Sequence, residues 1–393
     1  MSEQDKKLPE LSIQFPGTKP NGRIRFGLGV SSGVGGEMSD MTDGRVLVIT
    51  DRTIVSLGVH RTVTNSLEKQ DIDFDLFDGV LPEPHIEIMD TLYNIFKDND
   101  YGAVIGLGGG SALDTAKLAA VMAYSKRTAQ EIFDNPGVID GSLPTVLMPT
   151  TSGTGSEVSP YSVMSDGKHK RFISSPYLYA TVALVDPLLT VTMPPRVTAA
   201  TGLDALTHGV EGAVGKDSPY TRAMALQCAK MVFRYLPRAV SDGNDIEARY
   251  YMSLASVMGM LAYTQGGGLY AHSMSYVLTT RFGCPHGLGC GMALGYTLRL
   301  NQPLISDFLN DIGGVISLDT RFTGDEVISR FIELVRDVGM PTGLKDVGVT
   351  EDMLDDMAVS LVKEYYRTLN PVSLTVEDAR VFVRAMYEQN IMF

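Results

Sequence analysis

The chain has 393 residues, of which 44% are apolar, and its formal net charge is −13. That composition suits a soluble globular chain of two or three domains. The acidic surface excludes nucleic-acid phosphate as a partner, since like charges repel, and no run nears the roughly 18 uninterrupted apolar residues of a membrane span.

From the start, Met1 to Gln14 interleaves Lys6 and Lys7 with Glu3, Asp5 and Glu10. That pattern fits neither a secretory signal nor a presequence that avoids acids, so a cytoplasmic location is expected. Three cysteines without a CxxC pair suit a reducing compartment. Gly29-Val30-Ser31-Ser32-Gly33 matches the G-x-S-x-G nucleophile pattern by its letters, but no clear helix follows it.

Arg45–Thr50, Phe74–Phe77, Ala103–Leu107 and Thr145–Met148 read as buried strands. Arg61–Gln70, His85–Asp98 and Ser111–Tyr124 have helical spacing between them. This alternation predicts an α/β domain with a parallel sheet over residues 1–195. Asp51, just past the first of these strands, suits the ribose diol of NAD and repels the extra phosphate of NADP; a helix cap is the alternative.

After Leu107 come Gly108, Gly109, Gly110 and Ser111, followed by a helix that carries Asp114 and Lys117. Glycines admit a ligand to the backbone, Ser111 can cap the helix, and the helix start attracts phosphate. The stretch reads as a pyrophosphate cradle or as a tight strand-to-helix turn. It completes neither the common dinucleotide fingerprint nor a Walker loop, because Ser111 stands where a third glycine belongs and no Gly-Lys-Ser/Thr follows. A second loop, Pro149 to Val158, is crowded with hydroxyls and glycines at a strand's C-terminal edge, where open α/β sheets bind ligands.

Pro194-Pro195 breaks the pattern. Beyond it, Thr198–Val214, Pro219–Arg234, Ile246–Leu261, Glu326–Val338, Glu351–Tyr365 and Val376–Gln389 carry helical periodicity, so residues 196–393 are expected to form an all-helical domain, with chemistry in the cleft beside the first. Asp204 and His208, four apart, share one face of a helix. His272 opens another helical pattern after three glycines, and His286 stands in Cys284-Pro285-His286-Gly287. One carboxylate and three imidazoles suit Fe²⁺ or Zn²⁺ rather than Mg²⁺ or Ca²⁺. Spacing alone does not bring them together.

In this order the motifs resemble the iron-containing alcohol dehydrogenases over nearly the whole chain. GGGSxxDxxK matches Gly108–Lys117, PTTxGTGSE matches Pro149–Glu157, TGxDAxxH matches Thr201–His208, and HxxxH…PHG is matched in part by His272–Gly287. The resemblance implies a metal held by Asp204, His208, His272 and His286, and a pyrophosphate resting on Gly108, Gly109, Gly110 and Ser111, with Asp114 in the same motif. It implies nucleotide contacts at Thr150, Thr151, Thr154, Val163 and Lys170, NAD preference from Asp51, and a homodimer or higher homo-oligomer. The implied activity is NAD(H)-dependent interconversion of a small primary alcohol and its aldehyde.

Two positions depart from the family. Tyr276 replaces a second histidine four residues after His272, so Tyr276 is the candidate proton relay beside His272. Glu83 replaces an asparagine in Val80-Leu81-Pro82-Glu83-Pro84. Tyr161, Tyr263 and Tyr276 suit a moderately polar pocket, whereas an inward Arg171 or Arg281 would suit an anionic aldehyde. A dehydroquinate-synthase-like lyase using NAD transiently and a non-catalytic nucleotide-binding protein are the rival readings.

Overall fold

The computed structural model describes residues 10–14, 22–167, 170–317 and 322–393. The targeting reading of the first nine residues lies outside the described residues. The chain divides into two compact units. One contains the described residues up to Thr151 together with Gly155–Thr192, and the other contains Ser152–Thr154 with Met193–Phe393.

The first unit is built on a seven-stranded sheet. Its strands are β1 (Leu11–Gln14), β2 (Arg23–Phe26), β3 (Val46–Ile49), β4 (Phe74–Phe77), β5 (Ala103–Gly108), β6 (Thr145–Pro149) and β9 (Val182–Val185). Between β6 and β9 the antiparallel pair β7 (Tyr161–Ser165) and β8 (Lys170–Ser174) forms a separate two-stranded sheet. The large sheet runs in the order β1-β2-β9-β6-β5-β3-β4 and is parallel except where β1 meets β2. Every residue of β3, β5, β6 and β9 is buried. Continuous apolar strands of this kind need helices on both faces. β4 is an edge strand and is less buried; its Asp75 accepts from Arg45 and from the Tyr101 hydroxyl.

The strand order reverses between β3 and β5, since the chain leaves β3 outward to β4 and returns on its other side. Ligands of open parallel sheets bind at such a switch point, beyond the strands' carboxyl ends. Register puts Ile49 opposite Gly106, and Gly108 opposite Pro149. Asp51, Gly108 and Thr150 therefore end up on one edge.

Gly108 has φ +149°, and a Cβ there would meet the Ala112 Cβ at 2.7 Å. Only glycine lets β5 turn so abruptly into the helix Gly110–Ser125. That helix braces the second loop. Asp114 accepts from the Ser156 hydroxyl at 2.5 Å and from the Val163 N–H at 3.0 Å, and pairs with Lys117 at 2.9 Å. The Lys117 ammonium donates to the carbonyls of Ser156 and Tyr161. Burial lowers its pKa and the Asp114 charge opposes that.

The G-x-S-x-G stretch is structural. The Asp186 carboxylate accepts from the N–H groups of Gly29, Ser31 and Leu188, and from the Ser31 hydroxyl at 2.5 Å. Four donors on one carboxylate leave Ser31 bonded and buried, not poised for attack.

The second unit is helical apart from its short loop segment. Its helices include Pro195–Gly215, Pro219–Ser241, Ile246–Gly266, Tyr270–Phe282, His286–Asn301, Ser306–Ile316, Gly324–Asp337, Leu354–Lys363 and Val376–Glu388. They enclose one large apolar core. Ser218, Thr323 and Thr375 open three of them with capping boxes, each supplying an acceptor to an otherwise orphaned N–H. Among the described residues no helix is long and apolar enough to cross a membrane.

Glu157, fully enclosed in the first unit, has its pKa pushed up to about 7 by burial, against the pull of a backbone N–H and of Lys117. The folded chain therefore disfavours its ionised form. Its contribution to stability is full below the ordinary value of 4.5 and is lost as pH rises through about 7. Glu157→Gln should flatten the pH dependence of stability between pH 5 and 8, gaining about 1–3 kcal/mol at the upper end relative to the lower. Denaturant melts at both pH values measure this.

Candidate functional site

Of the four buried side-chain atoms in the helical unit that lack a hydrogen-bond partner among the described residues, two belong to residues of one close cluster. Asp204 Oδ1 and His272 Nε2 are buried and, among the described residues, lack hydrogen-bond partners. Orphaned polar atoms in a protein interior are costly, about 1–3 kcal/mol each or more for charged groups. The donor atoms of Asp204, His272, His286 and Cys290 all lie within 4.8 Å of one another. An ion with bonds of about 2.0–2.3 Å holds its donors roughly 3.3–3.7 Å apart, so the cluster would close by about 1 Å around it.

The helices explain how residues so far apart in sequence meet. Asp204 sits mid-way along Pro195–Gly215, and His286 is the first residue of its own helix. Gly287 lets the two helices close up. A Cβ there would lie 2.1 Å from the Ala200 carbonyl oxygen and 2.9 Å from the Asp204 Cβ. His286 Nε2 thereby comes 3.8 Å from Asp204 Oδ1.

Each imidazole is held by its Nδ1. The Glu211 carboxylate accepts from His272 Nδ1 at 2.5 Å. The Ser275 oxygen lies 2.8 Å from His286 Nδ1, while its own proton goes to the His286 carbonyl at 2.6 Å. The Gly153 carbonyl lies 3.3 Å from His208 Nδ1. Carbonyl and carboxylate oxygens only accept, so these nitrogens carry the protons and Nε2 is the atom by which each ring could ligate a metal. Burial, with His208 and Arg367 adding to it, holds the His272 pKa well below 6.5, so the ring is neutral as a ligand must be.

His208 is near this group but outside its tight set. Its ring centroid is 4.8 Å from that of His272, and its Nδ1 is 3.9 Å from Asp204 Oδ1. Cys290 occupies the fourth place in the close cluster.

Three tyrosines were candidates for a pocket, and two of them line the imidazoles. Tyr263 meets His208 edge-on at 4.7 Å and lies 4.9 Å from His272. Tyr276 stacks on His286 at 5.3 Å and 18°. Tyr161 belongs to β7 and rests on Phe172. The Arg367 guanidinium lies 5.5 Å from the centre of the Tyr276 ring and donates to the Ser273 hydroxyl. Burial raises the Tyr276 hydroxyl above its usual 10, and Arg367 pulls it back down. The two arginines singled out from sequence are engaged elsewhere. Arg171 bonds Asp134 and covers Phe133, and Arg281 bonds Asp356 and Ser360.

In the sheet unit the nucleotide candidates gather at the carboxyl edge. Gly109, not Ser111, precedes the helix, and no side chain caps it. Ser111 lies within the first turn, which corrects its reading as the cap; the Ala112 and Leu113 N–H groups bond the Gly109 carbonyl. Asp51 does cap the helix Arg52–Ser56, through Oδ1. Its Oδ2 lies 3.4 Å from where a Gly108 Cβ would be. The Thr150 N–H bonds the Gly108 carbonyl, and Thr151 faces Gly109. Asp114 and the Val163 N–H bond each other. Lys170 forms an ion pair with Glu83, one of the two positions that depart from the family, and burial lowers Lys170 to about 8. Thr154 belongs to the helical unit.

Sequence reasoning missed Glu211, Ser275, Cys290 and Arg367. Three of them carry a signal, since Glu211 follows Asp204 by seven positions, Ser275 follows His272 by three and Cys290 follows His286 by four. Helical spacing puts each on its ligand's face. Arg367 lies in a loop and carries no such mark.

Removing the Glu211 charge leaves the His272 ring without its anchor. Glu211→Gln should weaken divalent-metal affinity by about 10–100-fold, measured by competition with a chromophoric chelator. Unchanged affinity would show that the carboxylate does not serve the metal.

Known proteins resemble this chain over most of its length. A family model described as iron-containing alcohol dehydrogenase matches residues 20–187, and one described as the C-terminal part of the Fe-containing alcohol dehydrogenase family matches residues 198–387. Long-chain-alcohol dehydrogenase 1 of Geobacillus thermodenitrificans is 36% identical over 88% of this chain and 90% of its own length. The crystal structure of a 1,3-propanediol oxidoreductase superposes with a TM-score of 0.85 at 28% identity, covering 93% of this chain and 97% of that one. That of a sulfoacetaldehyde reductase from Bifidobacterium kashiwanohense in complex with NAD⁺ gives 0.83 at 30%, over 93% and 97%.

Proposed function

The chain belongs to the iron-containing alcohol dehydrogenase family, and from that premise we propose that it interconverts a small primary alcohol and its aldehyde with NAD(H) and a divalent metal. The observation that carries this reading is the pair of orphaned donors, Asp204 Oδ1 and His272 Nε2, beside His286 Nε2. Their chemistry fits Fe²⁺, the ion the family implies, and Zn²⁺ as well. Bound there, a divalent ion supplies Lewis acidity, polarising an aldehyde carbonyl or lowering an alcohol's pKa.

Asp204, His272 and His286, with His208 beside them, would hold the metal. Glu211 and Ser275 fix the rings of His272 and His286 in one tautomer. The uncapped turn at Gly108–Ser111 takes the pyrophosphate, and Asp51 takes the ribose diol through the oxygen its helix leaves over. Thr150, Thr151, Thr154, Val163 and Lys170 contact the nucleotide, and Asp114 enters by holding Val163 and the second loop in place.

Tyr276 moves the proton. Its raised pKa keeps the hydroxyl protonated at neutral pH, so it serves reduction as an acid, passing the Oη proton to the oxygen of the forming alcohol. The Arg367 charge lowers the cost of the phenolate left behind, which solvent then reprotonates.

A second reading takes an anionic aldehyde as substrate. Arg367 favours it, as a guanidinium beside the tyrosine that covers His286. The free, buried cysteines support a reducing cytoplasm. The homodimer rests on the resemblance.

Anaerobic Fe²⁺-loaded enzyme should oxidise NADH in step with aldehyde consumed. Chelation should abolish turnover and Fe²⁺ should restore it. A panel of neutral and sulfonate-, phosphonate- or carboxylate-bearing aldehydes separates the two substrate readings. Activity that survives rigorous metal removal would overturn the assignment, and NAD cycling without net NADH loss would point to a lyase. Tyr276→Phe should lower kcat for reduction by about 10²-fold with little change in KM. Full turnover with an unaltered pH profile would end the relay.

A further inference from the structure

We propose that Cys290 is a metal donor, so that the centre of this chain offers sulfur beside oxygen and nitrogen. The inference rests on the metal reading above and extends its donor set. Cys290 follows His286 by one helical turn and so faces the same way. Its sulfur lies 3.6 Å from His286 Nε2 and is fully buried. It sits within 4.8 Å of the donor atoms of Asp204 and His272, two of which are the orphaned atoms of the site.

The other two cysteines behave differently. The Cys228 sulfur donates to the Ala205 carbonyl at 3.3 Å and that of Cys284 to the Pro285 carbonyl at 3.7 Å. Cys290 is the cysteine whose sulfur faces ligands, in the place within the close cluster where His208 was expected.

On binding, a sulfur lone pair forms the bond to the ion, the S–H bond breaks and its proton leaves to solvent. No oxidation state changes. Thiolate is a softer donor than carboxylate or imidazole, and it moves selection from Fe²⁺ towards Zn²⁺.

Cobalt(II) makes the sulfur visible. Stoichiometrically loaded protein should show d–d bands together with a near-ultraviolet thiolate-to-cobalt charge-transfer band. Cys290→Ser should abolish the charge-transfer band and keep the d–d bands, while Cys284→Ser keeps both. The preference for Zn²⁺ over Fe²⁺, read by competition, should fall about 10-fold in Cys290→Ser. Cobalt bound with d–d bands and no charge-transfer band overturns the sulfur ligand, as does a band that survives Cys290→Ser. The wild-type spectrum decides the matter even if the variant does not fold. Failure to take up cobalt or any divalent ion would sink the metal reading itself, which is a separate result.

Discussion

The candidate metal site depends on one buried carboxylate. Glu211 accepts three bonds: from the N–H groups of Leu269 and Ala271, at 2.8 Å each, and from His272 Nδ1 at 2.5 Å. The helix Tyr270–Phe282 starts at Leu269 with no cap from its own side chains. Glu211, reaching across from Pro195–Gly215, serves as that cap. The bond that orients a metal ligand thus also satisfies the start of the helix that carries it. Burial pushes the Glu211 pKa up to about 7, while the two N–H groups, Arg367 and His208 pull it down. A divalent ion at His272 Nε2 would tip that balance towards the charged form, because the imidazole then donates its Nδ1 proton more strongly. Helix, ligand and charge state are therefore settled together.

The sheet unit solves a different problem with similar means. The turn proposed to hold phosphate has no capping side chain on its helix's first N–H groups. Gly108 and Gly109 bring the chain into the helix there. The order this withholds from the turn is restored behind it. Asp114 and Lys117, three residues apart on one helix face, tie that helix to Ser156, Val163 and Tyr161. A buried ion pair of this type stabilises little in net terms, since desolvation offsets the attraction. Its effect is to fix one loop geometry at the sheet edge.

The candidate metal ligands stand out in the sequence because the chemistry is rare. Six histidines in 393 residues leave few combinations, and the Asp204–His208 spacing already implies one helical face. Four of the parallel strands, β3, β4, β5 and β6, were legible as short apolar runs, whereas β2 and β9 were not. The helices Tyr270–Phe282 and His286–Asn301 were harder to see, since they are buried nearly all round and so lack an apolar stripe. The hairpin β7–β8 was missed for another reason. Its alternating burial is short and lies beside residues with loop composition. Arginine direction is unreadable from sequence, because a long side chain turns to whichever carboxylate tertiary structure supplies. Arg171 and Arg281 found surface acids, and Arg367, an unmarked loop residue, reached the site.

The replacement of a family histidine by Tyr276 bears on the direction in which the active site works best. A free imidazole titrates near neutrality and can take or give a proton with equal ease. A buried tyrosine with a raised pKa holds its proton and gives it only to a strongly basic oxygen, such as an alkoxide in the making. Arg367 narrows that gap without closing it, since burial remains the larger influence. The pairing therefore favours proton donation over proton removal. On the proposed relay, the raised pKa keeps the Tyr276 hydroxyl protonated at neutral pH, the state from which aldehyde reduction starts.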